Sequence, residues 1–416
     1  MLQTQTVTTG LLELLTTLMT IKEFEAVRRQ LLSDVPIGFF LSGGLDSGLV
    51  AAMAKQASPG QALTCFTIET ALSSHREGFT DDLPYARLAA KHLGADLDIV
   101  TAMPDIVRDF DKMIWHLDEP QADAAPLNVL NISARAREQG IVVLLGGTGG
   151  DDLFSGYRRH QSFYYEQFTA FVPAAVKAAL ARRAANMWVS SSLLRRLKKF
   201  LVHFNGDSEE EWMANYFGWL PIEENKMLFN ESNREKLKGY DPRRHLIESL
   251  QNIPLEKNRL NQMLYWELKY FLPDHNLNYT DKMSMAHGVE VRVPYLDKDL
   301  VEFSTTIPPE LKMKGLTTKY LLRKVGERHL PKEIVYRSKT GFGAPVRDWI
   351  TGPLDARLRA AFTPEMCKRH NLFDSQNVLA LVEKNKNDVL DASYSLWGLL
   401  AIASWWEQFV FTTKNT

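Results

Sequence analysis

Residues 35–55, VPIGFFLSGGLDSGLVAAMAK, constrain the fold more than any other stretch of this chain. The apolar run at 35–41 contains β-compatible Ile and Phe and is typical of a buried parallel strand. Residues 42–47, here called the first glycine loop, then form a turn, and Ser47 is a candidate cap for the helix that follows. The pattern therefore predicts a strand, a glycine turn and a helix N-terminus in immediate succession.

The first glycine loop is suited to binding an anion. In a strand–turn–helix unit, backbone N–H groups and the positive helix end point at one position beyond the sheet. Gly43 and Gly44 let a phosphate approach the main chain. Ser42 and Ser47 add hydroxyl donors, and an acid such as Asp46 beside phosphates is typical of a metal ligand. We therefore expect this loop to bind a nucleotide together with Mg²⁺.

A second glycine loop, residues 146–152 (GGTGGDD), follows another apolar strand candidate at 141–145. Ligands of open α/β sheets lie beyond the carboxyl ends of the strands, so both loops should face the same crevice. Asp46 and Asp151 are then able to share one magnesium ion, and Gly147 is expected beside the nucleotide. The chain has neither GxxxxGK[ST] nor a suitably placed GxGxxG, which argues against γ-phosphate cleavage and dinucleotide binding.

Composition narrows the expected partners. The 416 residues carry a formal net charge of −1, so no basic field favours nucleic acid, and a small-molecule substrate is expected. Cys65 and Cys367 form no CxxC pair, which argues against a zinc ribbon or disulfide framework and fits a cytoplasmic location. The apolar segment 392–406 is shorter than a membrane span. We expect it to be a buried helix and expect no membrane partner.

Strand and helix patterns alternate in the first part of the chain, which predicts an α/β fold with a parallel sheet covered by helices on both faces. The further strand candidates are 62–68 and 97–101, and the helix candidates are 82–93, 106–117 and 127–137. Beyond Tyr157 the pattern becomes mainly helical. The predicted domains are a leader helix or tail at 1–21, a nucleotide-binding core at 22–160, a helical insert at 161–260, and a mainly helical part at 261–416 that completes the active site.

Five segments give the chain a specific resemblance. SGGLDS in the first glycine loop resembles the PP-loop of the ATP pyrophosphatases, which release pyrophosphate from ATP. Together with four later segments, it resembles the asparagine synthetase family in order and spacing over about residues 22–350. The later segments are LDEP at 117–120, FSGY at 154–157, MAHGVEVRVPYLD at 285–297 and RSKTGFG at 337–343.

The resemblance implies an adenine nucleotide alpha hydrolase-like fold and an ATP-dependent ligase. In that family, ATP and a carboxylate give an acyl-adenylate and pyrophosphate, and a nitrogen nucleophile then displaces AMP to form an amide. Lys339 matches the family's loop lysine, which would neutralise charge at the phosphoryl centre, and Asp281 matches an acid of the site. Asp82 either lies near magnesium or substrate or only stabilises a helix N-terminus. Leu41 and Ile68 are expected beside adenine, although core packing alone would also explain them.

Two departures from that family change the expected chemistry. Position 2 is Leu2, where the type members have the catalytic cysteine of a glutaminase domain. Ammonia is therefore expected from solution or from a separate glutaminase subunit, or the nucleophile is an amine that the substrate already carries. Thr148 stands where asparagine-forming members have a Glu that is thought to accept a proton from the ammonium, and a hydroxyl does not serve as that base at neutral pH. The alternative bases are Asp118, Glu119 and Asp152.

Three functional hypotheses follow from the sequence. The first is an AMP-forming C–N ligase of the asparagine biosynthesis type, which activates aspartate or another small carboxylate. The second, suggested by Thr148 and the insert at 161–260, is a tailoring amidotransferase or cyclising synthetase acting on a sugar, peptide or antibiotic precursor. The third is a non-catalytic nucleotide-binding partner, and the presence of Asp46, Asp151 and Lys339 argues against it.

Overall fold

The apolar runs of the sequence form a parallel sheet of five strands in the part of the chain that the structure describes. In this computed structural model the strands are β1 (Ile37–Phe40), β2 (Thr64–Thr70), β3 (Asp96–Ala102), β4 (Val143–Leu145) and β5 (Glu290–Arg292). They lie in the order β3-β2-β1-β4-β5, and each neighbouring pair is parallel. The chain passes from β1 to β2 and β3 and then returns to the other side of β1. The junction of β1 and β4 is therefore the topological switch point of the sheet.

Two compact units make up the chain. The sheet unit comprises Met1–Pro104, Ala124–Tyr164 and Asn258–Ala344, and the helical unit comprises Asp105–Asp123, Tyr165–Lys257 and Pro345–Thr416. The structure describes residues 2–70, 82–102, 106–166, 168, 171–185, 201–202, 204, 208–337 and 344–411. The predicted domain division after residues 21, 160 and 260 stays a prediction.

Alternate residues of the strands pack on opposite faces of the sheet. Phe39 and Cys65 belong to one buried cluster, which also contains residues of the helix Leu45–Ala57. Phe66 and Leu144 belong to a second cluster, together with buried residues of the helix Ala125–Glu138. This alternation follows from the two-residue repeat of a strand. The predicted parallel sheet with helices on both faces is confirmed.

Helices surround the sheet within its unit, and several end where the sequence predicts. The helix Leu83–Leu93 ends at Gly94, whose φ of +61° is in the left-handed region that suits glycine. The π-helix at Glu267–Leu277 contains Pro273. The α-helices are Leu2–Gln30, Leu45–Ala57, Leu83–Leu93, Ala125–Glu138, Gly150–Phe154, His160–Glu166, Arg259–Trp266, Asn278–Met285, Lys298–Thr306, Pro309–Lys312, Tyr320–Gly326 and Lys332–Val335, with a π-helix at Glu267–Leu277 and a 3-10 turn at Pro294–Leu296.

The helical unit contains the long apolar segment near the end of the chain. That segment forms the helix Ser393–Trp405, and its Trp397 is fully buried between Phe110 and Trp349, which confirms the predicted buried helix. No described helix has an apolar stretch long enough to cross a bilayer. The other α-helices are Ile106–Leu117, Ala174–Ala185, Glu209–Ala214, Ile222–Met227, Glu231–Lys236, Arg244–Ser249, Val346–Thr351, Asp355–Ala361, Pro364–His370 and Ser375–Lys386, with 3-10 turns at Asn215–Phe217 and Leu250–Asn252 and a π-helix at Trp406–Phe411.

β5 was not predicted as a strand. It has only three residues, and the first of them, Glu290, is exposed, so no apolar alternation identifies it. Its place is set by pairing with β4, in which Leu144 is the partner of Val291. A hydrogen bond from the Gly146 N–H to the Arg292 carbonyl, at 2.9 Å, continues this pairing into the second glycine loop.

Candidate functional site

The first glycine loop turns around the hydroxyl group of Ser47. The Ser42 N–H donates to Ser47 Oγ at 3.2 Å, and the two serine hydroxyls lie 3.0 Å apart. The helix begins earlier than predicted, at Leu45, with Gly44 as its N-cap residue and no capping side chain. Ser47 therefore lies in the first helical turn and stabilises the loop instead of capping the helix. The φ of +71° at Gly43 gives the physical reason for a glycine there.

The two glycine loops meet at the carboxyl ends of β1 and β4. A Cβ at Gly147 would lie 2.7 Å from the Ser47 nitrogen and 2.9 Å from the Asp46 carbonyl carbon. A Cβ at Gly150 would lie 2.8 Å from Asp46 Cγ. Real side chains do not tolerate such distances to backbone, so these glycines allow one loop to pack directly on the other. The two loops thus share one crevice, as the sheet topology requires.

Lys319 joins the acids of the two loops. Its ammonium group contacts Asp46 and lies 2.5 Å from Asp151 Oδ1, and only 6% of the lysine side chain is exposed. Burial lowers the pKa of Lys319, while the negative charge of Asp46 acts in the opposite direction. Gly156 completes this packing, because a Cβ at that position would overlap Asp151 Oδ1 and Lys319 Cε.

The two aspartates have the oxygen ligands that magnesium prefers in proteins. Their carboxylates reach one cation, the Lys319 ammonium, and the buried Asp46 Oδ1 accepts no hydrogen bond from the residues that the structure describes. Within that same part of the chain, no group of three or more His, Cys, Asp or Glu is arranged to hold a metal. Magnesium commonly uses one or two carboxylates and completes its shell with water and substrate phosphates. Asp46 and Asp151 would supply the protein's share.

Comparison with known proteins gives a family match for this chain. A family model described as Asparagine synthase matches residues 24–408. The chain belongs to the asparagine synthase family. It is 29% identical over 394 residues to the glutamine-hydrolyzing asparagine synthetase 1 of Bacillus subtilis, and the match covers 92% of this chain and 57% of that protein.

Two further relatives are another asparagine synthetase and a protein named as an amidase. A putative glutamine-hydrolyzing asparagine synthetase of Mycobacterium tuberculosis is 29% identical over 394 residues, covering 93% of this chain and 56% of that protein. Amidase chyE of Penicillium rubens is 27% identical over 401 residues, covering 86% of this chain and 57% of that protein. The chain therefore spans somewhat more than half the length of these asparagine synthase relatives.

The remaining predicted residues lie at different depths, and not all of them are near the two glycine loops. Leu41 is fully buried after β1, and Ile68 packs partly buried on the cluster around Phe66. Thr148 is partly buried between the two packed glycines of its loop. Asp281 is exposed on the helix Asn278–Met285, and no described residue joins its carboxylate to either glycine loop. The predicted Lys339 lies outside the described residues.

The carboxyl group of Asp152, one of the alternative bases, is buried and hydrogen-bonded. It is 1% exposed and accepts a hydrogen bond from the Tyr157 hydroxyl at 3.1 Å, and Asn276 donates to that same hydroxyl at 3.0 Å. Burial raises the pKa of Asp152 to about 7, and the charge of Glu267 adds to the effect. The carboxyl group therefore differs from that of Asp151, its neighbour, which faces the Lys319 ammonium.

A buried ionic cluster of Arg159, His160 and Glu267 lies in this part of the chain, and it was not predicted from the sequence. Glu267 is fully buried and accepts from Arg159 Nε at 2.6 Å, and its Oε1 lies 2.9 Å from His160 Nε2. Burial by itself would raise the pKa of Glu267, but His160 and Arg159 outweigh it and lower the pKa. Arg159 and His160 follow the FSGY segment directly, whereas nothing in the sequence around Glu267 marks it as their partner.

Proposed function

We propose that this chain is an ATP-dependent, AMP-forming amide ligase that activates a small carboxylate, with aspartate as the first candidate. The proposal rests on one observation above all. Two glycine loops from separate strands pack together, and their acids Asp46 and Asp151 both contact the Lys319 ammonium group. A paired carboxylate site beside a helix N-terminus suits a metal–triphosphate. Membership of the asparagine synthase family supports the type of reaction.

In the first proposed step, the substrate carboxylate attacks the α-phosphorus of ATP. An acyl-adenylate forms, and the bond to pyrophosphate breaks. The N–H groups of Gly43 and Gly44 and the hydroxyls of Ser42 and Ser47 would hold the leaving pyrophosphate. A magnesium ion on Asp46 and Asp151 would supply charge neutralisation. Lys339 would neutralise charge at the phosphoryl centre, a role that is a proposal from its position in the RSKTGFG segment.

In the second proposed step, a nitrogen nucleophile attacks the acyl carbon and AMP leaves. The nucleophile must lose a proton, and Thr148 is a poor acceptor for it, so the phosphate of the departing AMP would take it. We propose that ammonia or an amine enters beside Thr148 and Gly147, with Asp281 as a substrate contact. The nitrogen source, free ammonia or a separate glutaminase subunit, belongs to this proposal as well.

Pyrophosphate exchange tests the first step directly. The chain is incubated with ATP, Mg²⁺, labelled pyrophosphate and one carboxylic acid at a time, and label appearing in ATP is measured. We expect exchange with aspartate or a close relative. Replacing Lys339 by alanine should abolish exchange, whereas the same change at exposed Lys332 should leave it unchanged. ATP binding without exchange for any acid would support the non-catalytic hypothesis instead.

A second candidate is a tailoring amidotransferase or cyclising synthetase. Thr148 in place of the expected Glu favours it, and one relative carries the name amidase. Mass spectrometry of the products formed from ATP, Mg²⁺, ammonium and each acid distinguishes the two. Asparagine as the product supports the first candidate. Exchange with aspartate that yields no asparagine, together with amide formation on a larger acid, supports the second.

A further inference from the structure

The buried guanidinium group of Arg337 connects the start of the helix Leu83–Leu93 to the first glycine loop. Its side chain is 8% exposed and forms an ion pair with Asp82, the residue before the helix Leu83–Leu93. The guanidinium also lies over the ring of Tyr85, with 4.1 Å from its carbon to the ring centroid. Its Nη1 donates to the Gly43 carbonyl at 3.5 Å. One arginine therefore contacts the start of a helix and the glycine loop together.

Gly43 is the residue through which this contact reaches the loop. Its φ is +71°, and a Cβ there would overlap the backbone of Tyr85 and Ala86. Gly43 therefore packs against the same helix start that carries the partners of Arg337. A peptide unit is planar and trans, so its C=O and N–H point in opposite directions. A Gly43 carbonyl held toward Arg337 turns the Gly44 N–H away from the guanidinium.

We infer that Arg337 is a positioning residue for nucleotide binding, because it fixes the peptide between Gly43 and Gly44 in the orientation that presents the loop's N–H groups to pyrophosphate. This inference rests on the proposed function. Asp82 neutralises the charge of Arg337, so the guanidinium contributes geometry to the site more than attraction for the phosphates. Without it, the loop has more conformations available, and nucleotide binding must then order the loop.

Lysine at position 337 separates this role from a simple charge effect. A lysine keeps the positive charge but lacks the planar fork of donors. Its single ammonium group cannot contact Asp82 and the Gly43 carbonyl and also lie flat on the Tyr85 ring. A positioning role therefore predicts that Arg337→Lys behaves much like Arg337→Met, whereas a charge effect predicts that lysine restores binding.

Calorimetric titration of the full chain with Mg²⁺ and α,β-methylene ATP, which cannot release pyrophosphate, measures the effect. We expect Arg337→Met and Arg337→Lys to raise the Kd at least about tenfold. Asp82→Asn should raise it less, because the contacts to Gly43 and Tyr85 remain. The control is Arg135→Met, which removes the more exposed ion pair to Asp98 of β3 and should change the Kd less than about twofold.

A second measurement separates positioning from a general loss of structure. In the exchange assay, the KM for ATP should rise in the Arg337 variants while the KM for the carboxylate stays unchanged. Should Arg337→Met be unfolded in circular dichroism, Arg337→Lys carries the test. Folded Arg337 variants that bind the analogue as tightly as the wild type overturn this inference alone. A wild-type chain that does not bind the analogue overturns the proposed function, and this inference with it.

Discussion

Replacing Lys319 by methionine tests whether one buried ammonium group holds the acids of the two glycine loops. Lys319 precedes the helix Tyr320–Gly326, and its ammonium contacts both Asp46 and Asp151. Methionine is a similarly long side chain without a charge, so the substitution removes the ion pairs while most of the packing is kept. The variant therefore leaves two largely buried carboxylates without their shared cation.

The burial of the three side chains sets the expected magnitude. Removing one partner of a buried ion pair costs about 3–5 kcal/mol, because the remaining charge is left in a poorly solvated place. The side chains of Asp46 and Asp151 are 16% and 15% exposed, so some water reaches them. We therefore expect Lys319→Met to lower the free energy of unfolding by about 3 kcal/mol. Adding Asp46→Asn to the Lys319→Met variant should recover part of this loss, since only the charge of Asp151 then remains unpaired.

Urea unfolding in the presence of EDTA, followed by circular dichroism, measures these differences. The control is Lys298→Met, because Lys298 is 84% exposed and lies 3.8 Å from Glu302, and a change within about 0.5 kcal/mol is expected there. A Lys319→Met variant as stable as this control would refute the reasoning. In a parallel series without EDTA, magnesium at ten times its Kd should add about 1.4 kcal/mol to the stability of Lys319→Met.

Three other predictions follow from the same geometry. Gly147→Ala forces a methyl group onto the Ser47 backbone and should cost about 1–3 kcal/mol in urea unfolding, whereas Gly60→Ala, with nothing within 4 Å, should cost far less. Burial raises the pKa of Glu23 from 4.5 to about 8. The folded chain therefore keeps a proton that the unfolded chain loses, and stability falls as pH rises between these values. Glu23→Gln should flatten that part of the stability profile, and an unchanged slope would contradict the assignment to Glu23. Thr148→Glu should increase ammonium-dependent amide formation in the product assay, and no increase would argue against a base at that position.

Strands β1 to β4, the end of the helix Leu83–Leu93 and the meeting of the glycine loops could be predicted because each depends on local pattern and on sheet topology. β1 and β4 are short apolar runs followed by glycines, and parallel strands place their carboxyl ends at one edge. The helix Ile106–Leu117 has the predicted limits. Gly44, in contrast, takes the capping position that was predicted for Ser47, because Ser47 uses its hydroxyl within the loop.

Lys319 and Arg337 could not be assigned their contacts from the sequence. Lysines and arginines are mostly exposed, so neither residue type signals burial. Lys319 lies 273 positions after Asp46, and Arg337 lies 255 positions after Asp82, so no spacing rule connects them. Only the packing of the later segments on the glycine loops creates these pairs. The φ of +54° at Lys319, unusual for this residue type, is likewise set by that packing.

The charges of the site explain why a nucleotide would need a cation to enter it. The ionic side chains balance one another, with Lys319 beside Asp46 and Asp151, Arg323 near Asp46, and Arg337 paired with Asp82. A balanced set of this kind offers a polyanion little net attraction. Under the proposed function, attraction would come from the N–H groups at the start of the helix Leu45–Ala57, from Lys339 and from a divalent cation on the nucleotide. In the calorimetric titration, nucleotide affinity should therefore fall steeply when magnesium is chelated, because the ionic side chains named here already balance one another.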